Sequence, residues 1–355
     1  MQKNREFMKA LEDELSRKVY QSRVEYSETG NAGALEDMIS FSVRRRSEWV
    51  DLLEMLSEIS TNNKLFLYGA GIWGNILYQE TKMRVKWDAI IDKYPQNSRI
   101  QRKDVFSLQW LKSVYAGEYI VVSSYKNMAS IVKDLTLIGI PEKKIINAGK
   151  IIFALTEQSI YFDLEPKYYQ DLTGIFIDGG CFDGLNAKTY LEMTKNISKA
   201  ICFEPDRRNN SKIQDNLKNS NNRYSIVDKA LWSEEGILGI LEQGNVASSV
   251  FKLETNRVCD DITTVKATTI DATVQGQVVS MIKLDIEGAE LEALKGAKQT
   301  IIRDKPLLAI SIYHKKEDIY TIPEYIMELD LGYHFYLRHY SFSDYDTVLY
   351  AVQEV

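Results

Sequence analysis

The sequence predicts an α/β protein with two parallel sheets in succession, the second one ending in an antiparallel hairpin. Three observations predict this. Two short apolar runs, 65–68 and 175–177, each lead into a glycine-rich turn and then into helix-compatible sequence, the opening move of a cofactor-binding crevice in open α/β sheets. After each turn, short apolar runs alternate with stretches of helical period, the pattern of strands joined by crossover helices. Finally, two β-rich runs at 333–340 and 347–352 flank the polar stretch 341–346, which reads as a reversed hairpin.

Length and composition bound the problem. The 355 residues suggest two domains. Hydrophobic residues at 45% and charged residues at 26% supply an ordinary globular core. Lys plus Arg number 44 against 50 for Asp plus Glu, a net charge of −6. That balance argues against a nucleic-acid partner, which needs a basic face. No apolar run is long enough to span a membrane, and the polar N-terminus lacks the apolar core of a signal peptide. Cys181, Cys202 and Cys259 form no CxxC or zinc spacing, which fits a reducing cytoplasm.

Residues 1–61 read as a helical segment. Phe7, Leu11 and Leu15 form one stripe, Leu35, Met38, Ile39 and Val43 a second, and Trp49, Leu52, Leu53, Leu56 and Ile59 a third. These helices are expected to pack on the next domain or to pair two copies of the chain. Arg44, Arg45 and Arg46 read as a solvated face.

Residues 62–150 read as a small Rossmann-like α/β domain. Gly69, Gly71 and Gly74 stand in GxGxxG spacing after the run 65–68, and Asp92 ends the next candidate strand, 87–91. This is the spacing of a nucleotide fingerprint with its ribose-binding acid. The alternative is a tight turn that binds nothing or binds a partner. About 90 residues are too few for two mononucleotide halves and a substrate domain. Residues 151–173 read as a connector with an aromatic-rich patch around Pro166.

From residue 174 the second α/β pattern begins. Its first strand ends at Asp178, and the turn holds Gly180 and Gly184 in DxGxxxG spacing. Glycines there permit close approach of a ligand to the backbone. The next strand, 200–203, ends at Glu204, an acid able to accept both ribose hydroxyls. The third, 224–227, ends at Asp228, followed by Lys229 and Ala230, and is assigned to the adenine edge. The fourth, 279–284, ends at Asp285. Four strand tips thus end in acids, and ligands bind outside the carboxyl ends of such strands. Carboxylates repel a pyrophosphate and suit a sulfonium, so S-adenosylmethionine is the inferred cofactor.

These residues carry a family resemblance. FIDGGCFDG at 176–184, FEPD at 203–206, DKALWS at 228–233, TTID at 268–271 and IKLDIEGAELEALKGA at 282–297 resemble the FkbM-type methyltransferases. The similarity continues through YHKKEDIYTIPEY at 313–325 and covers about half the chain, 174–355. The resemblance implies a class I methyltransferase fold that uses S-adenosylmethionine, generally to methylate hydroxyls of sugars or other natural products. It places the cofactor positions on Asp178, Gly180, Gly184 and Glu204, with Asp183 an additional acid of undefined role.

An alcohol is a poor nucleophile until its proton leaves, so a base or a metal is useful. Asp285 and Glu287, at i and i+2, are expected at the active site, either orienting the acceptor or taking its proton. Magnesium between them is an option, but no metal site is assigned. His314, directly after the fifth strand, is the general-base candidate because an unperturbed histidine titrates near neutrality. Ser248, Ser249 and His339 are candidate acceptor contacts, and His334 reads as structural. The reading is a cytoplasmic O-methyltransferase acting on a small-molecule or glycan acceptor. The alternatives are a non-catalytic nucleotide or nucleotide-sugar binding module on a methyltransferase-like scaffold, and an NAD-linked enzyme centred on 69–74.

Overall fold

The computed structural model describes residues 2–354 apart from 98, 102, 159, 195–197, 243–247 and 253–262. Cys259 lies outside the described residues. The chain forms two compact units. One comprises 1–38, 160–339 and 343–355, and the other 39–159 with 340–342.

Helices α1 (Gln2–Ala10), α2 (Glu14–Thr29) and α3 (Ala32–Phe41) open the chain, followed by α4 (Ser47–Asn62). The division between units falls inside α3, so the segment expected as one helical block is shared. The stripe expected as a single helix is also broken after Ala10. Asp13 caps α2 by accepting a hydrogen bond from Ser16 N at 2.7 Å, which satisfies one of the orphan donors of the helix start. Leu11, in the break, pairs with Phe335.

The 39–159 unit contains β1 (Leu65–Tyr68), α5 (Ile72–Thr81), β2 (Ala89–Ile91), β3 (Val105–Phe106), α6 (Leu108–Val114), β4 (Tyr119–Val122), α7 (Met128–Leu137), β5 (Ile145–Asn147) and α8 (Ala148–Phe153). The strands pair in parallel in the order β3-β2-β1-β4-β5. Its strands read as continuous apolar runs because both faces are covered. Leu65, Leu67 and Val121 pack with Trp49, Leu52, Leu56 and Leu77 on one face. Phe66, Tyr68 and Ile120 pack with Leu111, Ile131 and Leu135 on the other.

In the larger unit follow β6 (Ile175–Gly179), α9 (Leu185–Met193), β7 (Lys199–Phe203), α10 (Asn210–Leu217), β8 (Tyr224–Val227), β9 (Ala230–Leu231), β10 (Gly236–Glu242), β11 (Ser248–Lys252), β12 (Thr263–Thr268) and α11 (Ile270–Val274). Then come β13 (Val279–Leu284), α12 (Glu290–Lys295), α13 (Lys298–Asp304), β14 (Leu307–Ser311), α14 (Asp318–Glu328), β15 (His334–His339) and β16 (Thr347–Val352). Seven strands form one sheet in the order β15-β16-β14-β13-β6-β7-β8. All neighbours run parallel except where β16 meets β14 and β15. This is a Rossmann-like parallel sheet closed by a reversed hairpin, the class I methyltransferase fold. Its order reverses between β6 and β13, the topological switch point where such sheets bind ligands.

Strands β10, β11 and β12 form an antiparallel ribbon attached to β9, in a stretch where the sequence reading placed no strand. Pro323 sits at the sixth position of α14, which begins at Asp318.

Alternate residues of the strands, among them Ile177, Phe203, Ile282, Leu284, Ile310 and Leu349, share one core with α1 and α2. Phe7 contacts Tyr20 and Phe335 edge-on at 5.1 and 5.4 Å. The apolar stripes of the first two helices, expected to pack on the next domain or to pair two copies, contribute Phe7, Val19 and Tyr20 to this core. Among the described residues no helix is long and apolar enough to cross a membrane. Leu11 is 1% exposed, so Leu11→Ala is expected to destabilise the larger unit by about 2–5 kcal/mol. Urea unfolding followed by tyrosine fluorescence checks this, and an unchanged midpoint would show that Leu11 contributes nothing to that core.

Candidate active site at the switch point

The turn after β6 is shaped by contacts inside the chain. Gly180 has φ +74°, and a Cβ there would collide with the carbonyl oxygen of Asp285. Gly184 has φ +80° and lies against Ile213 of α10. The sequence reading tied these glycines to ligand approach; the structure gives each an internal neighbour as well. Asp183, whose role the motif left undefined, accepts a hydrogen bond from Leu185 N at the start of α9 at 3.1 Å. Phe182 adopts φ +52° and is 55% exposed, with Lys212 Nζ 4.8 Å from its ring centre.

Beneath the turn lies a buried ion pair. Lys283 on β13 is 1% exposed and Asp178 is fully buried. Lys283 Nζ stands 3.1 Å from Asp178 Oδ1 and donates to the carbonyls of Gly179 and Gly180 at 2.9 and 2.8 Å. Burial works to lower the lysine pKa, but the neighbouring Asp178 and Asp285 carboxylates raise it above the ordinary value. Asp178 was expected to face the positive part of a ligand. In the structure it is fully buried and paired with Lys283 beneath the turn. Cys181 and Cys202 are both buried free thiols. The Cys181 pKa is raised by its hydrogen bond to Cys202, by burial and by Asp178, which disfavours a thiolate.

Glu204, at the tip of β7, is buried. One carboxylate oxygen accepts from Phe182 N in the turn and the other from Asp206 N, both at 2.9 Å. A carboxylate has about four lone-pair sites, so acceptor capacity remains for ribose hydroxyls. Asp228 at the tip of β8 accepts from Asn210 Nδ2 at 2.9 Å and pairs with the exposed Arg207 at 3.1 Å. Lys229 lies 3.9 Å from Glu235. Ala230 is buried in β9, paired with Ala267 of β12.

Across the switch point, Asp285 follows β13. Its Oδ2 accepts from the Tyr161 hydroxyl at 2.8 Å and its Oδ1 from the Tyr313 hydroxyl at 3.0 Å. Burial would raise its pKa, but Lys283, His314 and the hydroxyl donors outweigh burial and hold it below the usual carboxylate range. His314 lies among three carboxylates. Nδ1 is 3.0 Å from Glu290, and Nε2 is 3.5 Å from Asp285 and 3.6 Å from Glu287. Burial lowers its pKa, yet Glu290, Asp285 and Glu287 together push it up to about 9. Asp318, buried close by and accepting from Lys315 N at 2.9 Å, is itself pushed up to about 7 by burial and by Glu290. Glu287 has φ +57°, unusual for a residue with a side chain, and burial raises its pKa.

Asp285, Glu290 and His314 bring potential metal-ligand atoms within 4.8 Å of one another. Glu290 Oε1, however, already accepts from Ile286 N at 2.8 Å, and the imidazolium supplies the positive charge that these acids call for. His339, a candidate acceptor contact, is buried and directs Nδ1 to Thr347 Oγ1 at 3.0 Å. His334 meets Glu12 at 2.6 Å. Ser248 and Ser249 lie in β11, and their side chains fall outside the described residues.

Residues 183–335 match the family model of the methyltransferase FkbM domain. The resemblance read from the motifs is thus shown for that stretch, which begins in the glycine turn and ends in β15. Solved structures similar to this chain include the methyltransferase FkbM from Methylobacillus flagellatus KT, at 18% identity over 94% of this chain and 99% of that one, with a TM-score of 0.45. An Aeropyrum pernix fibrillarin with natively bound S-adenosyl-L-methionine matches at 10% identity over 52% and 68%, with a TM-score of 0.34. A Bacillus cereus O-methyltransferase in complex with SAH matches at 9% over 69% and 96%, also at 0.34. No curated protein sequence matches the chain. At these scores the fold class rests on the strand order rather than on the overlays.

Four residues at the candidate site escaped the sequence reading: Tyr161, Lys283, Glu290 and Tyr313. Lys283 left a signal, a lone charge inside the apolar run 279–284. Removing one partner of a buried ion pair strands the other charge. Lys283→Met is therefore expected to cost about 3–5 kcal/mol, and adding Asp178→Asn to recover a large part of it. Urea melts of the two single variants and the double variant test this, and additive losses would show that the two groups are not coupled.

Proposed function

We propose that the protein is an S-adenosylmethionine-dependent O-methyltransferase acting in the cytoplasm on a hydroxyl of a sugar, a glycan or another natural-product precursor. One observation carries the reading. The glycine turn with Glu204 and the group Asp285, Glu287 and His314 meet at the single switch point of a methyltransferase sheet. The bound cofactor would supply an electrophilic methyl group on a sulfonium. Glu204 would hold its ribose and Asp228 its adenine, and the acids after β13 complement its positive charge.

The proton of the acceptor hydroxyl needs a destination. With a pKa of about 9, His314 carries its proton at neutral pH in all but about one molecule in a hundred. The base role expected for it therefore passes to Glu287, whose pKa burial raises and which lies partly open. A more basic carboxylate is a better proton acceptor. His314 Nε2 then stands as a donor between Asp285 and Glu287. Tyr161 and Tyr313 fix Asp285, and Arg23 of α2 donates to the Tyr313 carbonyl at 3.2 Å.

Calorimetry with S-adenosylmethionine is expected to show binding, weakened at least about tenfold (about 1.4 kcal/mol) in Glu204→Ala. Absence of heat, or equal affinity in the variant, removes the cofactor assignment. Glu287→Gln is expected to lower turnover by about 10²–10⁴ while cofactor affinity holds. Turnover should stay level through neutral pH and decline as pH rises through about 9, where His314 loses its proton. A rate that instead climbs towards pH 9 would return the base role to His314. Folding raises the His314 pKa, so the stability it adds is complete below about pH 6.5 and is lost as pH rises through about 9, about 3 kcal/mol in all. Urea unfolding of wild type and His314→Gln at both ends of that window measures it.

A further inference from the structure

The 39–159 unit lies wholly outside the family match, yet its glycine turn raises a question that the methyl-transfer reading leaves unanswered. Two of its three glycines are explained within the chain. Gly69 has φ +102°, which favours glycine. At Gly74 a Cβ would collide with the carbonyl of Gly69. Gly71 has neither reason. Its φ is −76°, which any residue adopts, and a Cβ added there would meet nothing within 4 Å. The open space lies at the N-cap of α5, a helix of ten residues that has no side-chain cap. A glycine needed by neither the backbone nor the packing, at the start of a helix without a side-chain cap, is what close approach of a phosphate requires.

Asp92 stands at the tip of β2, next to this turn. One of its oxygens accepts from Ala70 N at 2.8 Å and the other from Tyr94 N at 2.9 Å. Glu204 has the same pair of partners in the larger unit, a turn N–H and the N–H two residues on. As there, acceptor capacity remains on the carboxylate.

A second and independent observation points to a ligand. Tyr68, the last residue of β1, is 3% exposed, and its hydroxyl has no hydrogen-bond partner among the described residues. Leaving a buried hydroxyl unpaired costs about 1–3 kcal/mol. Burial first, then the charges of Asp134 and Asp92 and the hydroxyl of Tyr94, push its pKa up to about 12. Tyr68 is paired with Ile91, the residue before Asp92, so it lies one strand from that acid. The sheet order reverses between β1 and β4, so the turn, Asp92 and Tyr68 all lie at this unit's switch point.

We propose that the 39–159 unit binds a ribonucleoside diphosphate, or a molecule that carries one, across the tips of β1 and β2. The diphosphate approaches Gly71 and the first turn of α5, Asp92 accepts the ribose hydroxyls, and the Tyr68 hydroxyl gains the partner it lacks. The proposal stands apart from the methyl-transfer reading, since it uses no residue of the larger unit.

The test is calorimetry on the full chain with saturating S-adenosylmethionine present, titrating ADP, UDP, UDP-glucose and NAD. At least one is expected to bind. Tighter binding of UDP-glucose than of UDP identifies a nucleotide sugar, and tighter binding of NAD than of ADP identifies a dinucleotide. Gly71→Val fills space that the fold leaves open and is expected to abolish binding without shifting the thermal midpoint. Tyr68→Phe removes only the unpartnered hydroxyl. It is expected to weaken binding about five- to tenfold while the free protein stays as stable as wild type or becomes more so. Absence of heat with all four nucleotides, or equal affinity in wild type and both variants, overturns the proposal.

Discussion

A lysine ammonium sealed under a glycine turn is the constraint on which the larger unit's site depends. Lys283 is buried, and its charge is balanced by Asp178 on the neighbouring strand and by two carbonyls of the turn. The arrangement ties β6 to β13 at the point where the sheet order reverses. It also reaches onward electrically. The same positive charge is the leading influence that lowers the Asp285 pKa, so the group that holds the turn also keeps the first acid of the other wall ionised.

Around that anchor the site is arranged in alternating charge. Lys283 meets Asp178 and influences Asp285; Asp285 meets His314; His314 meets Glu287 and Glu290. Each group's proton affinity is set by its neighbours rather than by its own chemistry. Two carboxyls separated by a single residue in sequence are consequently driven in opposite directions, Asp285 down and Glu287 up. Divergence of that kind is what separates a fixed anion from a proton acceptor.

Much of the fold was legible in the sequence. Short apolar runs ending in acids placed β6, β7, β8 and β13 to within two residues, because parallel strands buried on both faces leave an uninterrupted signal. The final hairpin was legible from its two β-rich runs on either side of a polar stretch. The antiparallel ribbon at 236–268 was not, since polar residues and glycines mask its period. At the site, the motif pointed to Glu204, Asp285, Glu287 and His314, which stand at the switch point. It could not show the full burial of Asp178 against Lys283, because burial cannot be read from a strand tip, nor the three carboxylates around His314, because folding alone brings them close. Tyr161 was visible as part of an aromatic patch, but its bond to Asp285 spans 124 positions, and no local pattern encodes such a distance.

Arg23 carries a consequence of its own. It lies on α2, near the start of the chain, yet it is buried and bonded to the carbonyls of Tyr313 and Asp344 near the end. The larger unit is accordingly assembled from the first 38 residues and from those after 159. During synthesis its opening helices emerge early and must wait, their apolar stripe uncovered, while the intervening stretch is made. The smaller unit, nearly all of it one continuous segment, can fold as it leaves the ribosome. The larger can close only when β15 and the loop after it have appeared, so the late arrival of that segment, more than any local propensity, sets when its candidate site first exists.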